Sequence, residues 1–200
     1  MTVRREELLA DAVWDGATVE HLDCTGAAIT EHEFRRCVFD RVRLVEADLG
    51  GSVFEDCELV QCDLTMAKVE RTAFRGVRFR RCKLMGIDWS PVRSLVFTVT
   101  FEGCVLTHSS FVGNKMRGTR FLDCQATETT FVDVDLSEAV FTGSDLAGAK
   151  FIDTTLIDAD LSTATNYAIS PQQNRLKRTR FSEEAALALV SELGIVVPRP

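Results

Sequence analysis

The sequence predicts an all-β solenoid, a coil with four sides whose turns stack into a rod. Three observations predict this fold. A large apolar residue returns at every fifth position, a small residue precedes it by two positions, and phenylalanines recur at every fourth pentapeptide. The pattern is clearest in the second half of the chain, where the large residues are Phe121, Phe131, Leu136, Phe141, Leu146, Phe151, Leu156 and Leu161.

A period of five fits neither an α-helix, which repeats at 3.6 residues, nor a strand, which repeats at two. The period is satisfied if the chain turns a corner once per pentapeptide and sends one large and one small side chain inward. Four such sides make a coil of about 20 residues, and stacked coils bury a continuous core. Phe34, Phe54 and Phe74 are then expected to stack along one side of the rod.

The pattern divides the chain into three parts. Residues 1–18 lack a clean repeat and are expected to cap the first coil, with a short helix from Glu6 to Trp14. Residues 19–165 carry the repeat, which gives about seven coils and a rod of roughly 35 Å. Residues 166–200 form a tail with a basic run and then a helix, which begins after the N-cap Ser182 and ends at Gly194.

The repeat is broken once, at residues 90–95. It resumes at Val96 and Phe101, so two residues have been inserted. Pro91 removes a backbone donor and favours an extended Ser90, which predicts a bulge or small loop. The insertion is either tolerated without a role or a contact site, and Arg93 and Ser94 are the candidate contact residues.

The apolar side of the tail helix must be covered by the last coil or by a second copy of the chain. Because its apolar surface exceeds what one rod end covers, we expect a homodimer. The residues expected at that interface are Phe181, Leu187, Val190, Leu193 and Ile195.

Composition limits the location and partners. The net charge of −7 argues against a general nucleic-acid or anionic-membrane binder. No apolar run reaches the length of a membrane span, and acidic residues interrupt the N-terminus where a secretory signal is apolar. A cytoplasmic protein without membrane or direct nucleic-acid binding is expected.

Six of the seven cysteines fall on the small inward position, in pairs separated by one expected coil: Cys37 and Cys57, Cys62 and Cys82, Cys104 and Cys124. Stacked coils would separate each pair by about 4.8 Å. A disulfide brings its Cβ atoms to about 3.8 Å. We therefore expect free thiols that fill the core. No Cys/His cluster with zinc spacing is present, and His21 and His108 have no matching partners for a metal site.

The sequence contains no motif of an enzyme site. GxSxG, HExxH and phosphate-binding glycine loops are absent. An active site also needs a cleft, whereas this interior is filled by Phe and Leu. We predict no catalytic residue, no cofactor and no metal.

Charge is distributed unevenly along the rod. Residues 122–165 contain nine acids and one lysine, while residues 68–83 contain seven bases and one acid. Asp133 and Asp153 are one coil apart on one side, and Glu138 and Asp158 are one coil apart on the next. Such acids either keep the rod soluble or imitate the phosphates of a nucleic acid and attract a protein that binds DNA.

The repeat resembles that of pentapeptide-repeat proteins, which fold as right-handed quadrilateral β-helices. The ending NYAISPQQNRLKRTRFSEEAALALVSELGIVV is similar to the C-terminal module of those that protect bacterial type II topoisomerases. That group includes Qnr-type quinolone-resistance proteins and self-immunity factors against albicidin and microcin B. MGIDW and FEGCVLTHSSF, on either side of the break, resemble the albicidin-resistance type.

The resemblance implies a dimeric rod that imitates B-form DNA, binds DNA gyrase and protects it from topoisomerase poisons. Asp133, Glu138, Asp153 and Asp158 would then form the partner-binding face. This chain departs from the Qnr type because it has no long projecting loop; its repeat is interrupted only at residues 90–95. The alternative is a pentapeptide-repeat scaffold that binds another protein and has no role with gyrase.

Overall fold

The computed structural model describes residues 3–93, 97–192 and 194–196. Short parallel strands connected by tight corners make up most of this part of the chain. The elements are α1 (Arg5–Ala10), β1 (Val13–Asp15), β2 (Thr18–Glu20), β3 (Glu33–Arg35), β4 (Val38–Asp40), β5 (Val53–Glu55), β6 (Glu58–Val60), β7 (Ala73–Arg75), β8 (Val77–Arg80), β9 (Val99–Glu102), β10 (Ser110–Val112), β11 (Arg120–Leu122), β12 (Thr130–Val132), β13 (Lys150–Ile152) and α2 (Glu183–Glu192).

The strands stack as three parallel sheets along the sides of the rod. Their orders are β1-β3-β5-β7, β2-β4-β6-β8-β9-β11 and β10-β12-β13. Phe34 pairs with Phe54, and Phe54 with Phe74, so each turn of the coil spans four pentapeptides as the sequence predicts. The all-β solenoid is therefore confirmed.

Aromatic ladders fill the interior. The ring centroids of Phe34 and Phe54 are 4.9 Å apart, and those of Phe54 and Phe74 are 5.3 Å apart. A second ladder contains Phe111, Phe131 and Phe151, with spacings of 5.2 and 4.9 Å. These rings are buried and nearly parallel, which confirms the stacking expected from the sequence.

The corners use left-handed backbone conformations at the second residue after many of the large inward side chains, such as Asp133 at φ 53°. Aspartates placed just before an inward leucine stabilise the same turns. The Asp63 carboxylate accepts from the amide of Thr65 at 3.1 Å and from its hydroxyl at 2.6 Å. These acids are turn caps of the Asx type, which explains their recurrence.

The register break lies between β8 and β9. Phe79 pairs with Phe101, two positions beyond the regular offset between coils, which confirms the insertion. Val96 lies outside the described residues. Phe97 is buried at this level and stacks on Trp89 at 5.6 Å. The core therefore remains filled where the coil is interrupted.

The solenoid begins earlier than the pattern predicts. The helix α1 ends at Ala10, and Val13 and Trp14 belong to β1, which pairs with β3. The prediction that the cap helix extends to Trp14 is therefore wrong. Leu8 is fully buried, and its carbonyl lies 3.2 Å from Nε2 of His32. His32 is thus a hydrogen-bonded residue beneath α1, near the end of the stack.

The solenoid also extends further than the pattern predicts. Asn174 occupies a small inward position, and its Nδ2 donates to the Phe151 carbonyl at 2.9 Å. Arg175 and Arg180 form bridges to the preceding coil. The last coil therefore reaches Arg180, although the pattern predicts a tail from residue 166. The basic run is part of this coil.

The helix α2 has the predicted ends. Ser182 Oγ accepts from the amide of Ala185 at 3.3 Å. Gly194 has a φ of +75°, and the amide of Ile195 donates to the Val190 carbonyl at 3.3 Å. This is the Schellman arrangement, for which glycine is favoured.

All seven cysteines are free and buried. Two of the three predicted pairs join into one column, because Cys62, Cys82, Cys104 and Cys124 follow one another on one side of the rod, while Cys37 and Cys57 remain a separate pair. Contacts with the Cys104 and Cys62 thiols, together with burial, raise the pKa of Cys82. The spacing in the sequence does not indicate that Cys82 and Cys104 stack on neighbouring coils, because the two inserted residues lie between them.

Candidate partner-binding face

Asp133 and Asp153 lie on one corner, directly after β12 and β13. Both have left-handed backbone conformations and exposed side chains. The backbone holds them one coil apart, since the Asp133 amide donates to the Ile152 carbonyl at 3.0 Å. Neither carboxylate forms an ion pair with a described residue. They line a shallow groove of about 420 Å³ that also includes Asn174 and Arg175.

Glu138 and Asp158 lie on the next corner and are both neutralised. Arg117 Nη2 contacts Glu138 Oε1 at 2.5 Å. The Arg178 guanidinium contacts both oxygens of Asp158, with Nε 2.5 Å from Oδ1. Hydrogen bonds from Arg178 hold the pKa of Asp158 below its ordinary value. The four predicted carboxylates therefore comprise an unpaired column and an ion-paired column.

Most other acids of residues 122–165 also have local partners. Asp135, Asp145 and Asp160 accept backbone amides two residues ahead, at 3.0, 3.1 and 3.0 Å. Glu128 lies 3.3 Å from Nδ1 of His108, a contact that the sequence pattern does not suggest. Among the described residues, Asp123, Asp133 and Asp153 are the acids of this segment without such partners.

An apolar strip lies beside the unpaired carboxylates. It consists of Val112, Val132 and Ile152, which pair in register on the outer surface of β10, β12 and β13. Val112 is 43% exposed and Ile152 39%. Sequence reasoning missed this strip. Its signal is a β-branched residue directly after the inward phenylalanine in three successive coils.

The register break presents a separate surface. Arg93 is exposed, and its amide donates to the Thr72 carbonyl at 3.0 Å. Ser94, the second candidate there, lies outside the described residues. A groove of about 510 Å³ beside the break is lined in part by Arg78, Phe97 and Arg117.

Four of the seven basic residues between 68 and 83 form ion pairs with acids on other coils: Arg71, Arg75, Arg80 and Lys83. Arg80 contacts Glu58 at 3.0 Å and Glu102 at 3.3 Å, and Arg75 lies 3.8 Å from Glu55. The positive charge read along the sequence is therefore reduced by pairing across coils.

The residues expected at a dimer interface separate into two groups. Phe181 is half-buried, 6.1 Å from the ring of Tyr167, and Val190 is also half-buried. Leu187 is 38% exposed and Ile195 54%. Leu193 lies outside the described residues. Exposed apolar surface thus remains on α2 and just beyond it.

Neither a metal cluster nor a membrane span occurs in the part of the chain that the structure describes. Those residues contain no group of three or more His, Cys, Asp or Glu placed to hold a metal ion. No helix in the described ranges is long and apolar enough to cross a membrane.

Family models match the solenoid in two places. Residues 27–111 match a pentapeptide repeat region, and residues 131–165 match pentapeptide repeats in eight copies. The two segments together cover more than half of the chain. The fold and these matches define the class: the chain belongs to the pentapeptide-repeat proteins.

Similarity within that class extends to quinolone-resistance proteins. The chain is 30% identical over 76 residues to the quinolone resistance pentapeptide repeat protein QnrB96 of Scandinavium goeteborgense. This match covers 38% of the chain and only 36% of that relative.

A solved structure of a trypsin-treated variant of QnrB1, a plasmid-mediated fluoroquinolone resistance protein, superposes with a TM-score of 0.54. The superposition covers 98% of this chain and 95% of that one at 20% identity, which shows the same fold.

Proposed function

We propose that this protein binds DNA gyrase as a DNA mimic and protects it from topoisomerase poisons. The observation that carries the proposal is the column of unpaired carboxylates at Asp133 and Asp153 on a rigid rod. Adjacent carboxylates lie one strand spacing apart, about 4.8 Å. This is of the same order as the axial spacing of phosphates along one DNA strand, about 3.4 Å.

The similarity to QnrB96 supports this choice of partner, because that protein is a quinolone-resistance protein with the same repeat. The solid interior of the rod is also consistent with DNA mimicry, which acts through the outer surface of a protein. The rod's interior is filled by stacked rings, so a partner is recognised on the outer surface and not in a cleft. We infer a binding protein without catalysis or cofactor, acting in the cytoplasm as a homodimer joined through α2.

The two acidic columns differ in how readily they can bind a cationic partner, because only one of them is ion-paired. Glu138 and Asp158 are engaged by Arg117 and Arg178, so a cationic partner must displace an arginine to use them. Asp133 and Asp153 are available without such a cost. We therefore expect Asp133 and Asp153, on the corner after β12 and β13, to make the main electrostatic contact with the partner.

A supercoiling assay tests the proposal. Purified gyrase, relaxed plasmid and a quinolone are combined with the full chain, and we expect supercoiling to be restored as the protein is added. Asp133→Asn with Asp153→Asn should reduce protection. The matched control is Glu46→Gln with Asp56→Asn, since both are exposed corner acids with left-handed φ in the first half of the rod.

Absence of protection by the intact, folded chain would contradict the gyrase role. It would favour the alternative, a pentapeptide-repeat scaffold for another protein. Equal protection by the wild type and the Asp133/Asp153 variant would contradict the acidic contact and leave the break around Arg93 as the next candidate.

A further inference from the structure

The apolar strip Val112, Val132 and Ile152 is confined to three coils. The equivalent outward positions on the coils before it are Thr30, Gly50, Glu70 and Ser90, and the one after it is Gln172. Strand propensity favours β-branched residues on these three coils, because this side of the rod forms the strands β10, β12 and β13 there. A strand does not require an apolar residue at this outward position, however, since the residue after the inward phenylalanine is Arg35 in β3, Glu55 in β5 and Arg75 in β7.

The strip and the unpaired carboxylates form one surface. Asp133 follows Val132 directly, and Asp153 follows Ile152, so an apolar and an acidic column run side by side. The adjacent groove of about 420 Å³ is lined by Asp133 and Asp153, by polar residues and by one base, Arg175. The face is thus apolar along one line and carries two carboxylates along the next, with Arg175 at its end on the last coil.

We propose that this composite face docks a protein segment that carries lysine or arginine beside aliphatic or aromatic side chains. The inference rests on the proposed function, in which that segment belongs to the gyrase surface. Charge complementarity selects the occupant: two unpaired carboxylates attract cations and repel nucleic acid and anionic membranes. Phosphate mimicry requires only positive charge in the partner, whereas the apolar strip also requires apolar side chains beside that charge.

The strip is small beside a stable interface, which buries about 800 Å² on each partner. It therefore acts as the centre of a larger contact, where desolvated apolar groups contribute most of the affinity and are surrounded by polar groups. Binding through this face should have two separable parts. The carboxylates give an attraction that salt screens, and the strip gives one that salt does not screen.

The test compares two variants of the intact chain. Val112→Thr, Val132→Thr and Ile152→Thr remove the apolar strip but retain β-branched residues suited to strands. Val13→Thr with Val60→Thr is the matched control on β1 and β6. Thermal unfolding confirms that both variants fold. Affinity for gyrase and for two synthetic peptides of equal positive charge, one with interleaved leucines and one with serines, is measured at low and high salt.

We expect the strip variant to bind gyrase and the leucine peptide about tenfold more weakly at both salt concentrations. Its affinity for the serine peptide should not change, and the control should match the wild type. Unchanged affinity of the strip variant for the leucine peptide and gyrase would overturn the inference. Dissociation of a wild-type dimer by the strip substitutions in light scattering would also overturn it, because the occupant would then be a second copy.

The outcomes separate this inference from the proposed function. A wild type that prefers the leucine peptide but does not bind gyrase would contradict the proposed function and support the docking face. A wild type that binds gyrase only as tightly as the strip variant does would support the function and contradict the docking face.

Discussion

Arg178 and Asp158 form a two-pronged ion pair between the last two coils, with Arg178 Nε 2.5 Å from Asp158 Oδ1. This relationship joins two features that the sequence presents as separate, the acidic column and the basic run of the tail. The tail neutralises the end of the column that is predicted to attract a partner. The same contact fastens the last coil to the one before it.

The Asp158–Arg178 pair predicts a pH-dependent contribution to stability. Since Arg178 lowers the pKa of Asp158 in the folded protein, the contribution is present above the unfolded pKa of about 3.9 and is lost as pH falls through the folded value. The thermal midpoint of Asp158→Asn should lie below that of the wild type at pH 7. The two midpoints should converge below pH 3. A constant difference across this range would contradict the ion pair.

The aromatic ladder predicts a large loss of stability for Phe131→Ala. Phe131 is fully buried between Phe111 and Phe151. Removal of the ring should cost about 3–5 kcal/mol, or roughly 6–20 °C in the thermal midpoint of a chain of this size. Val132→Ala, on the outer surface of the same strand, should cost far less. Similar midpoints for the two variants would show that Phe131 does not face the core.

Thiol burial predicts that the cysteines react only after unfolding. All seven thiols are buried, so a reagent in solution does not reach them. Burial also raises the pKa of Cys24, and although contact with the Cys57 thiol lowers the pKa of Cys37 to about 7, that thiol is buried as well. Native protein exposed briefly to a maleimide should remain largely unmodified, and mass spectrometry after denaturation should show seven modified thiols. A disulfide between Cys104 and Cys124 would be inconsistent with their inward stacking.

The exposed apolar surface after the solenoid predicts a homodimer. Leu187→Glu combined with Ile195→Asp should give a monomer in light scattering, because each places a charge on exposed apolar surface at the tail. Val13→Glu, an equally polar change at the other end of the rod, should leave the dimer intact. The dimer claim fails if the wild type is monomeric at micromolar concentration.

The core of this fold could be predicted from the sequence because its repeat is local. Each pentapeptide places one large residue inward, so the Phe34, Phe54 and Phe74 ladder follows from counting alone. The same counting predicts the two inserted residues before Phe101. The helix ends at Ser182 and Gly194 are predictable for a similar reason, because both signals act within one turn.

The ends of the solenoid could not be predicted as accurately as its core, because one isolated large residue does not show a periodic pattern. The pattern therefore places Trp14 in a helix, although it pairs with Phe34 in a strand. The last coil uses Asn174 as an inward residue, a position revealed by its burial and by its hydrogen bonds with the Phe151 carbonyl and the Thr154 amide. Ion pairing across coils, as between Arg178 and Asp158, depends on side-chain geometry that the repeat does not specify.

Competition with DNA tests the central claim of mimicry most directly. A short fluorescent DNA duplex is bound to gyrase, and its anisotropy is followed as the full chain is added at two salt concentrations. A mimic that occupies the DNA-binding surface should release the duplex, more weakly at high salt because exposed charges are screened within about 8–10 Å. The Asp133→Asn and Asp153→Asn variant should release it poorly, and the Glu46→Gln and Asp56→Asn control should act as the wild type. Binding of the chain to gyrase with the duplex still in place would contradict the claim.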